Sequence, residues 1–282
     1  MLDLLNRGCT ILVDALMSAL LPLSPLGALC VIAAVAGALA TLAFKYVSPQ
    51  RRIQRVADRT RANLLAMRLF MDDLGVSLRA IGGLFGAALQ RLTYSLPPLV
   101  VLLVPFLLLL TQLAMWFEFA PARVGQIVVV DVEIAPEAWN TLSTAELRPP
   151  PGVELVGPAA RAARVHRITW RVRATQPVDA ALRWEANGTA IAEKHLRVVD
   201  ALADVALRPV SPKRPGASWV DQLLYPREAA FGAGSPVRSI TIQPFDAGRW
   251  PVLGLAAPWW LTFFVVSIVA ALVVKPFVGV QF

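Results

Sequence analysis

Histidine and cysteine are nearly missing from this chain, with two of each among 282 residues. Cys9 and Cys30 both fall in the apolar N-terminal region, and nothing beyond residue 30 can form a disulfide. A disulfide framework is therefore excluded, and any folded domain further along must be held by its core. His166 and His195 stand apart from acids and cysteines at metal-ligand spacing, so they read as solvated strand histidines. No glycine-rich phosphate loop ending in Lys-Ser/Thr occurs, and no Gly-x-Ser-x-Gly elbow. The adjacent pair Asp72-Asp73 borders Gly75, and neighbouring helical residues point about 100° apart, which suits a solvated tip rather than acid–base work. No enzyme, metal site or cofactor is expected. Charge is scarce too: 16% of residues are charged and 56% are apolar, too greasy for an ordinary soluble domain.

Three long uncharged runs take the place of that chemistry, at residues 23–44, 92–117 and 253–274. Each exceeds the roughly 18 residues needed to cross a bilayer. Residues 45–91, between the first two, carry nine Lys/Arg against three Asp. Residues 117–252 carry sixteen Lys/Arg against fourteen Asp/Glu, a near balance. The short basic segment is the topogenic one, since the positive-inside rule counts short loops and largely ignores long domains. Arg51, Arg52, Arg55, Arg59 and Arg61 carry that signal and suit anionic headgroups, and no nucleic-acid partner is expected. Trp116, Trp250, Trp259 and Trp260 fall at the ends opposite Lys45 and Lys275, which agrees with aromatic anchoring outside and lysine snorkelling inside.

The expected layout is a membrane protein of α+β class in a bacterial inner membrane. Residues 1–22 form an interfacial amphipathic helix, with Asp3, Asn6, Arg7, Thr10, Asp14 and Ser18 on one face. Transmembrane helix 1 covers 23–47, a cytoplasmic helical hairpin 48–91, and transmembrane helix 2 92–117. An extracytoplasmic β-sandwich covers 118–208, a proline-rich return segment 209–252, transmembrane helix 3 253–275 and a cytoplasmic tail 276–282. The small residues Ala33, Ala34, Gly37, Ala38 and Ala40 offer close packing to the other spans or to a second copy.

In the hairpin, Ile53, Val56, Thr60, Leu64, Met67, Met71 and Leu74 stripe the first arm, opened by Ser48-Pro49. Leu78, Ile81, Phe85, Leu89 and Leu92 stripe the second, which packs on the first or half-sinks into the inner leaflet. Pro97, Pro98 and Pro105 lie in the second span, with a kink expected near Pro105. Gln112 is its most polar side chain and serves either an interhelical hydrogen bond or a hydrated groove.

Beyond Phe119 the pattern turns to strands, at 126–134, 152–156, 165–175 and 180–185. Asn187-Gly188 joins the last of these to 189–199 in a two-residue hairpin, which also accounts for the glycosylation-like Asn187-Gly188-Thr189. Trp170 and Trp184 are core candidates, while Arg167, Arg171 and Arg173 share a face open to solvent or an anionic partner. A short helix at 219–225 and one more strand at 239–243 complete the expectation.

A span entering, a basic hairpin, a span leaving and a later span returning resembles the YidC-type membrane insertase superfamily. The likeness is to its three-span branch, which includes the insertase subunit of the endoplasmic-reticulum membrane complex. It is carried by residues 45–61, the arms up to Arg91, and the span from Leu92 with its three prolines, and covers about 26–116 plus 256–275. The chain departs from that family in having no arginine in the first span and a β-domain between the second and third. The resemblance implies a hydrated groove opening to the cytoplasm, lined by Lys45, Thr93, Tyr94, Ser95 and Gln112. It also implies assistance to membrane-protein insertion or assembly, with a membrane-protein client as partner. The alternative is a scaffold or sensor whose β-sandwich binds an extracytoplasmic partner. Polarity between the spans separates the two readings.

Overall fold

The computed structural model describes residues 2–20, 22–69, 74–200, 208–243, 249–252 and 255–279. Met71, Asp72 and Asp73 lie outside the described residues. Four helices come first: α1 (Leu2–Leu20), α2 (Pro25–Val47), α3 (Gln50–Leu69) and α4 (Leu74–Phe117). Strands β1 (Ala122–Arg123) and β2 (Ile127–Ile134) precede the short helix α5 (Trp139–Leu142). There follow β3 (Glu146–Arg148), β4 (Val153–Leu155), β5 (Ala160–Ala162), β6 (Arg167–Ala174), β7 (Val178–Ala186), β8 (Thr189–Val199) and β9 (Lys213–Arg214). Helix α6 (Trp219–Leu224), strands β10 (Val237–Gln243), β11 (Arg249–Val252) and β12 (Leu255–Pro258), and helix α7 (Trp259–Val278) close the chain. It divides into two compact units, one of 26–107 with 260–282, the other of 1–25 with 108–259.

The first unit is helical. Among the described residues three helical stretches are long and apolar enough to cross a membrane: α2, residues 78–117 of α4, and α7. Helix α4 continues through Pro97, Pro98 and Pro105 without interruption, so the second hairpin arm and the second span are one element. Helices α2 and α7 approach closely at Gly37, where a Cβ would stand 2.1 Å from the Ser267 carbonyl oxygen. Small residues at helix contacts permit this closeness where no hydrophobic drive exists between helices. Phe106 of α4 adds tilted ring contacts at 5.5 and 5.8 Å to Phe263 and Phe264 of α7.

The two hairpin arms meet through small residues as well. Val56 of α3 and Ala80 and Ala87 of α4 are buried, and a Cβ on Gly83 would meet the Asn63 amide nitrogen at 2.6 Å. Of the two alternatives for the stripe on the second arm, packing on the first arm is not the one seen. Leu78, Ile81, Phe85, Leu89 and Leu92 all face outward, and so does Leu64. Bulky side chains would hold the helix axes apart, and the glycine–alanine face lets them close. Ser48 is buried at the start of this region, but its hydroxyl has no hydrogen-bond partner, so it does not cap α3 through its side chain.

The β-domain lies in the second unit and consists of two sheets around one core. One sheet has the order β1-β8-β7-β3, the other β4-β6-β2-β10-β9, with β5 also on β6. In β2 the sequence Ile-Val-Val-Val-Asp-Val-Glu-Ile buries Val128, Val130, Val132 and Ile134, as alternation requires. Trp170 of one sheet meets Trp184 of the other edge-on at 6.1 Å. Asn187 and Gly188 both adopt positive φ, 52° and 75°, the geometry that a two-residue hairpin demands. The proline-rich stretch contributes more than a return path, since β10 lies between β2 and β9 and buries Val237, Ile240 and Ile242.

Two local expectations change. His166 is not on the strand: it closes a 3-10 turn at φ 50°, ahead of β6, with its ring edge-on to Trp139 at 5.6 Å. The third apolar run does not begin as a helix either, because residues 255–258 pair with 249–252 and α7 starts at Trp259. Pro258 explains the boundary, since a proline biases the preceding residue, Ala257, towards extended backbone.

Candidate functional surfaces

Helix α4 carries a continuous apolar rail. Leu78, Ile81, Phe85, Leu89, Leu92, Leu96, Leu99, Leu103 and Leu107 recur at spacings of three and four, and every one is exposed, Phe85 at 72%. Because the mean spacing matches the α-helical repeat, the rail stays on one side for roughly 40 Å. On α3, Arg52, Arg55, Arg59 and Arg61 are exposed, Arg61 lying 3.8 Å from Asp58 on the same surface. Arg51 stands in the first turn of α3, its side chain outside the described residues. Arg59 also borders a hollow of about 420 Å³ between the arms, shared with Asn63, Gly83, Gly86 and Gln90.

Of the five residues expected to line a groove, Lys45, Thr93, Tyr94 and Ser95 lie in the helical unit. Lys45 is exposed in the last turn of α2. The Thr93 hydroxyl donates to the Leu89 carbonyl of its own helix at 2.9 Å. Tyr94 is half-buried under the Arg52 guanidinium, 5.8 Å from its ring centre. Ser95 lies in α4, its side chain outside the described residues. Gln112 belongs to the other unit and takes the interhelical hydrogen bond, its amide donating to Thr10 Oγ1 at 3.0 Å and to the Asn6 carbonyl at 3.4 Å.

That bond opens a polar cluster in the second unit. Asn6 donates to the Gln222 carbonyl of α6 at 2.8 Å, and the Trp116 indole N–H to Asp14 at 3.2 Å. Arg227 reaches both carboxylate oxygens of Asp14 and lies over the Trp116 ring at 5.6 Å. Burial pushes the Arg227 guanidinium below its ordinary range, and Asp14 opposes the shift. Arginine side chains stay protonated in proteins, and the Asp14 carboxylate pairs with this one. At the same end Trp259 donates to the Glu118 carboxylate and stacks on Phe117 at 6.2 Å.

A second buried ionic group was missed in the sequence. Lys194 is fully enclosed and donates to the Glu228 carboxylate, to the Ser211 carbonyl at 2.6 Å and to the His195 carbonyl at 3.3 Å. Burial lowers its pKa, while Glu228 raises it. The signal existed, because Lys194 shares the inward register of Leu196 and Val198 on β8.

The β-domain also has an open cleft of about 800 Å³, with Glu133, Glu137, Asp221 and Arg238 on its walls. Glu133 accepts from Ser239 at 3.2 Å and Asp221 from Lys213 at 2.9 Å, so two of its acids are already engaged. Arg167, Arg171 and Arg173 share the exposed face of β6, where Glu133 and Glu154 are register partners of Arg167 and Arg173. His195 lies 3.0 Å from Asp179 on the outer face of the other sheet. Among the described residues no group of His, Cys, Asp and Glu could hold a metal ion. The chain matches no family model, no curated protein and no solved structure.

Proposed function

We propose that this chain assists insertion or assembly of membrane proteins in a bacterial inner membrane, with its basic hairpin in the cytoplasm and its β-domain outside. The rail on α4 supports the reading most directly. It runs unbroken from the hairpin arm into a helix apolar enough to span a bilayer, and its leucines and Phe85 are left uncovered. An apolar client segment arriving from the cytoplasm finds there a matching surface that leads towards lipid. Contact at one large residue contributes about 1.5–3 kcal/mol, so a few suffice to hold a client transiently. The exposed arginines of α3 keep the hairpin at the anionic headgroups.

A scaffold is the second reading, favoured by the contact at Gly37. Two helices that close to backbone distance leave no water-filled passage between them, and Thr41 and Ser267 spend their hydroxyls on their own helices. On either reading the spans themselves are dry at α2–α7, and any client is handled on the outer flank of α4.

A photo-crosslinking residue at Phe85, Leu92 or Leu99, with stalled chains of a one-span substrate, tests the proposal. Crosslinks should move from 85 towards 99 as the client lengthens. The double change Phe85→Asp with Leu89→Asp should lower substrate insertion on the order of tenfold, the equivalent of about 1.4 kcal/mol. Crosslinks to one fixed protein at every client length, with insertion unchanged after depletion, would leave the scaffold standing instead.

A further inference from the structure

Helix α1 is built with its polarity reversed relative to a helix on a water-soluble domain. Three members of its polar line face the protein, while Arg7 and Ser18 are exposed: Asn6 is 4% exposed, with Val13 and Met17 buried beside it, and Asn6, Thr10 and Asp14 bond to Gln112, Gln222, Trp116 and Arg227. Its large apolar residues Leu4, Leu5, Ile11, Leu12 and Leu16 face away from the protein, Leu4 at 79% and Leu12 at 72% exposed. Scattered exposed leucines are ordinary, but a contiguous apolar face is not.

The contacts also give α1 a direction. Thr10 pairs with Gln112 and Asp14 with Trp116, so equal steps along both helices stay in register and the two run side by side in the same sense. Gln112 and Trp116 belong to the last turns of the apolar stretch 78–117. Leu4 and Leu5 therefore lie level with residues before Gln112, deeper along that stretch than its end. Helix α6, bonded to α1 through Asn6, turns Trp219, Val220 and Leu224 outward as well.

We infer that α1, together with α6, forms a lipid-contacting wall of the second unit. Acyl chains cover the outward leucines of α1, and the Asn6–Thr10–Asp14 line rivets the wall to α4 and to Arg227. The wall would seat the β-domain against the membrane independently of α2 and α7. This inference does not rest on client handling at the rail.

Spin labels test it on the full chain carrying Cys9→Ala and Cys30→Ala, reconstituted in phosphatidylcholine–phosphatidylglycerol vesicles. Single labels are placed by Leu12→Cys, Leu4→Cys and, on α6, Val220→Cys, with Asn140→Cys as the exposed reference in the β-domain. At 4, 12 and 220, collisions with oxygen should be frequent and collisions with a water-soluble nickel chelate rare. The oxygen-to-nickel ratio should exceed that of the reference several-fold, and the ratio at 4 should exceed that at 12. A nickel response at 4 and 12 equal to the reference would place the face in water and overturn the inference. Protection from both agents with spin–spin broadening would show a second copy on the face and overturn it equally. The outward positions tolerate labels without disturbing packing, and the label at 220 reads the same wall without altering α1.

Discussion

Replacing Lys194 by methionine removes a charge while keeping most of the side-chain length, and so isolates what the buried ammonium does. Its three donors meet three acceptors: the Glu228 carboxylate, the Ser211 carbonyl and the His195 carbonyl. The side chain has no solvent exposure and Glu228 only 17%. Removing one member of such a pair leaves the other charge uncompensated, which typically costs 3–5 kcal/mol. Partial access of water to Glu228, together with the relief of burying no ammonium, reduces this to about 3 kcal/mol. For a unit of this size that is a fall in Tm of roughly 6–12 °C. The assay is thermal unfolding of the full chain in detergent, followed by near-ultraviolet circular dichroism, to which the Trp170–Trp184 pair in the core contributes. The double variant Lys194→Met with Glu228→Met should recover to within about 1 kcal/mol of the original, since an apolar pair can replace a buried ionic one.

The same site has a pH signature. Burial holds the Lys194 pKa below its ordinary value of about 10.4. Between the folded and unfolded values the unfolded chain binds more protons, so stability rises with pH across that window and the gain is absent below it. The variant lacks this titration. The stability gap between original and variant should therefore widen as pH rises towards the ordinary lysine range. A single variant within about 1 kcal/mol of the original, a double variant no better than the single, or a gap that narrows with pH would refute the reasoning.

Two further outcomes follow from the helical unit. Gly37→Ala must push α2 from the Ser267 backbone and should cost about 1–3 kcal/mol in the same thermal assay, whereas Gly82→Ala, with nothing within 4 Å of the new methyl, should be neutral or stabilising. Equal effects would mean that α2 and α7 do not meet there. Changing Arg51, Arg52, Arg55, Arg59 and Arg61 to Glu should give mixed orientation of a reporter fused near residue 75. Full yield on one side would show that these arginines do not set topology.

The β-domain was legible because water makes its rules simple. Alternation in residues 127–134 placed four side chains in the core, and Asn187-Gly188 announced its turn through the only backbone geometry that closes a two-residue hairpin. What was lost there is short: β1, β3, β9 and β11 have two to four residues each, β5, Ala-Arg-Ala, is exposed throughout and has no pattern to read, and β12 hid inside an apolar run that fits strand or helix equally. Lys194 was passed over because its residue type argues for the surface while its register argues for the core. Tertiary pairing with Glu228 decides that conflict, and no local pattern reports it.

On two helices the large apolar residues face outward. In the second hairpin arm the spacing of large apolar residues was sound, but the packed face is Ala80, Gly83 and Ala87, with the leucines outside. In α1 Asn6, Thr10 and Asp14 turn inward, whereas Arg7 and Ser18 of the same polar line are exposed. Both arrangements follow if hydrocarbon covers these faces, which for the second arm means the half-sunk alternative. Water rewards the burial of leucine, so a leucine stripe on a soluble helix marks its partner. Hydrocarbon offers no such reward, so small residues and hydrogen-bonding groups turn inward to pack and pair, and bulk is left to face the solvent. A soluble helix hides its apolar side, whereas on α4 and α1 large apolar residues are exposed, as a lipid covering of both would require.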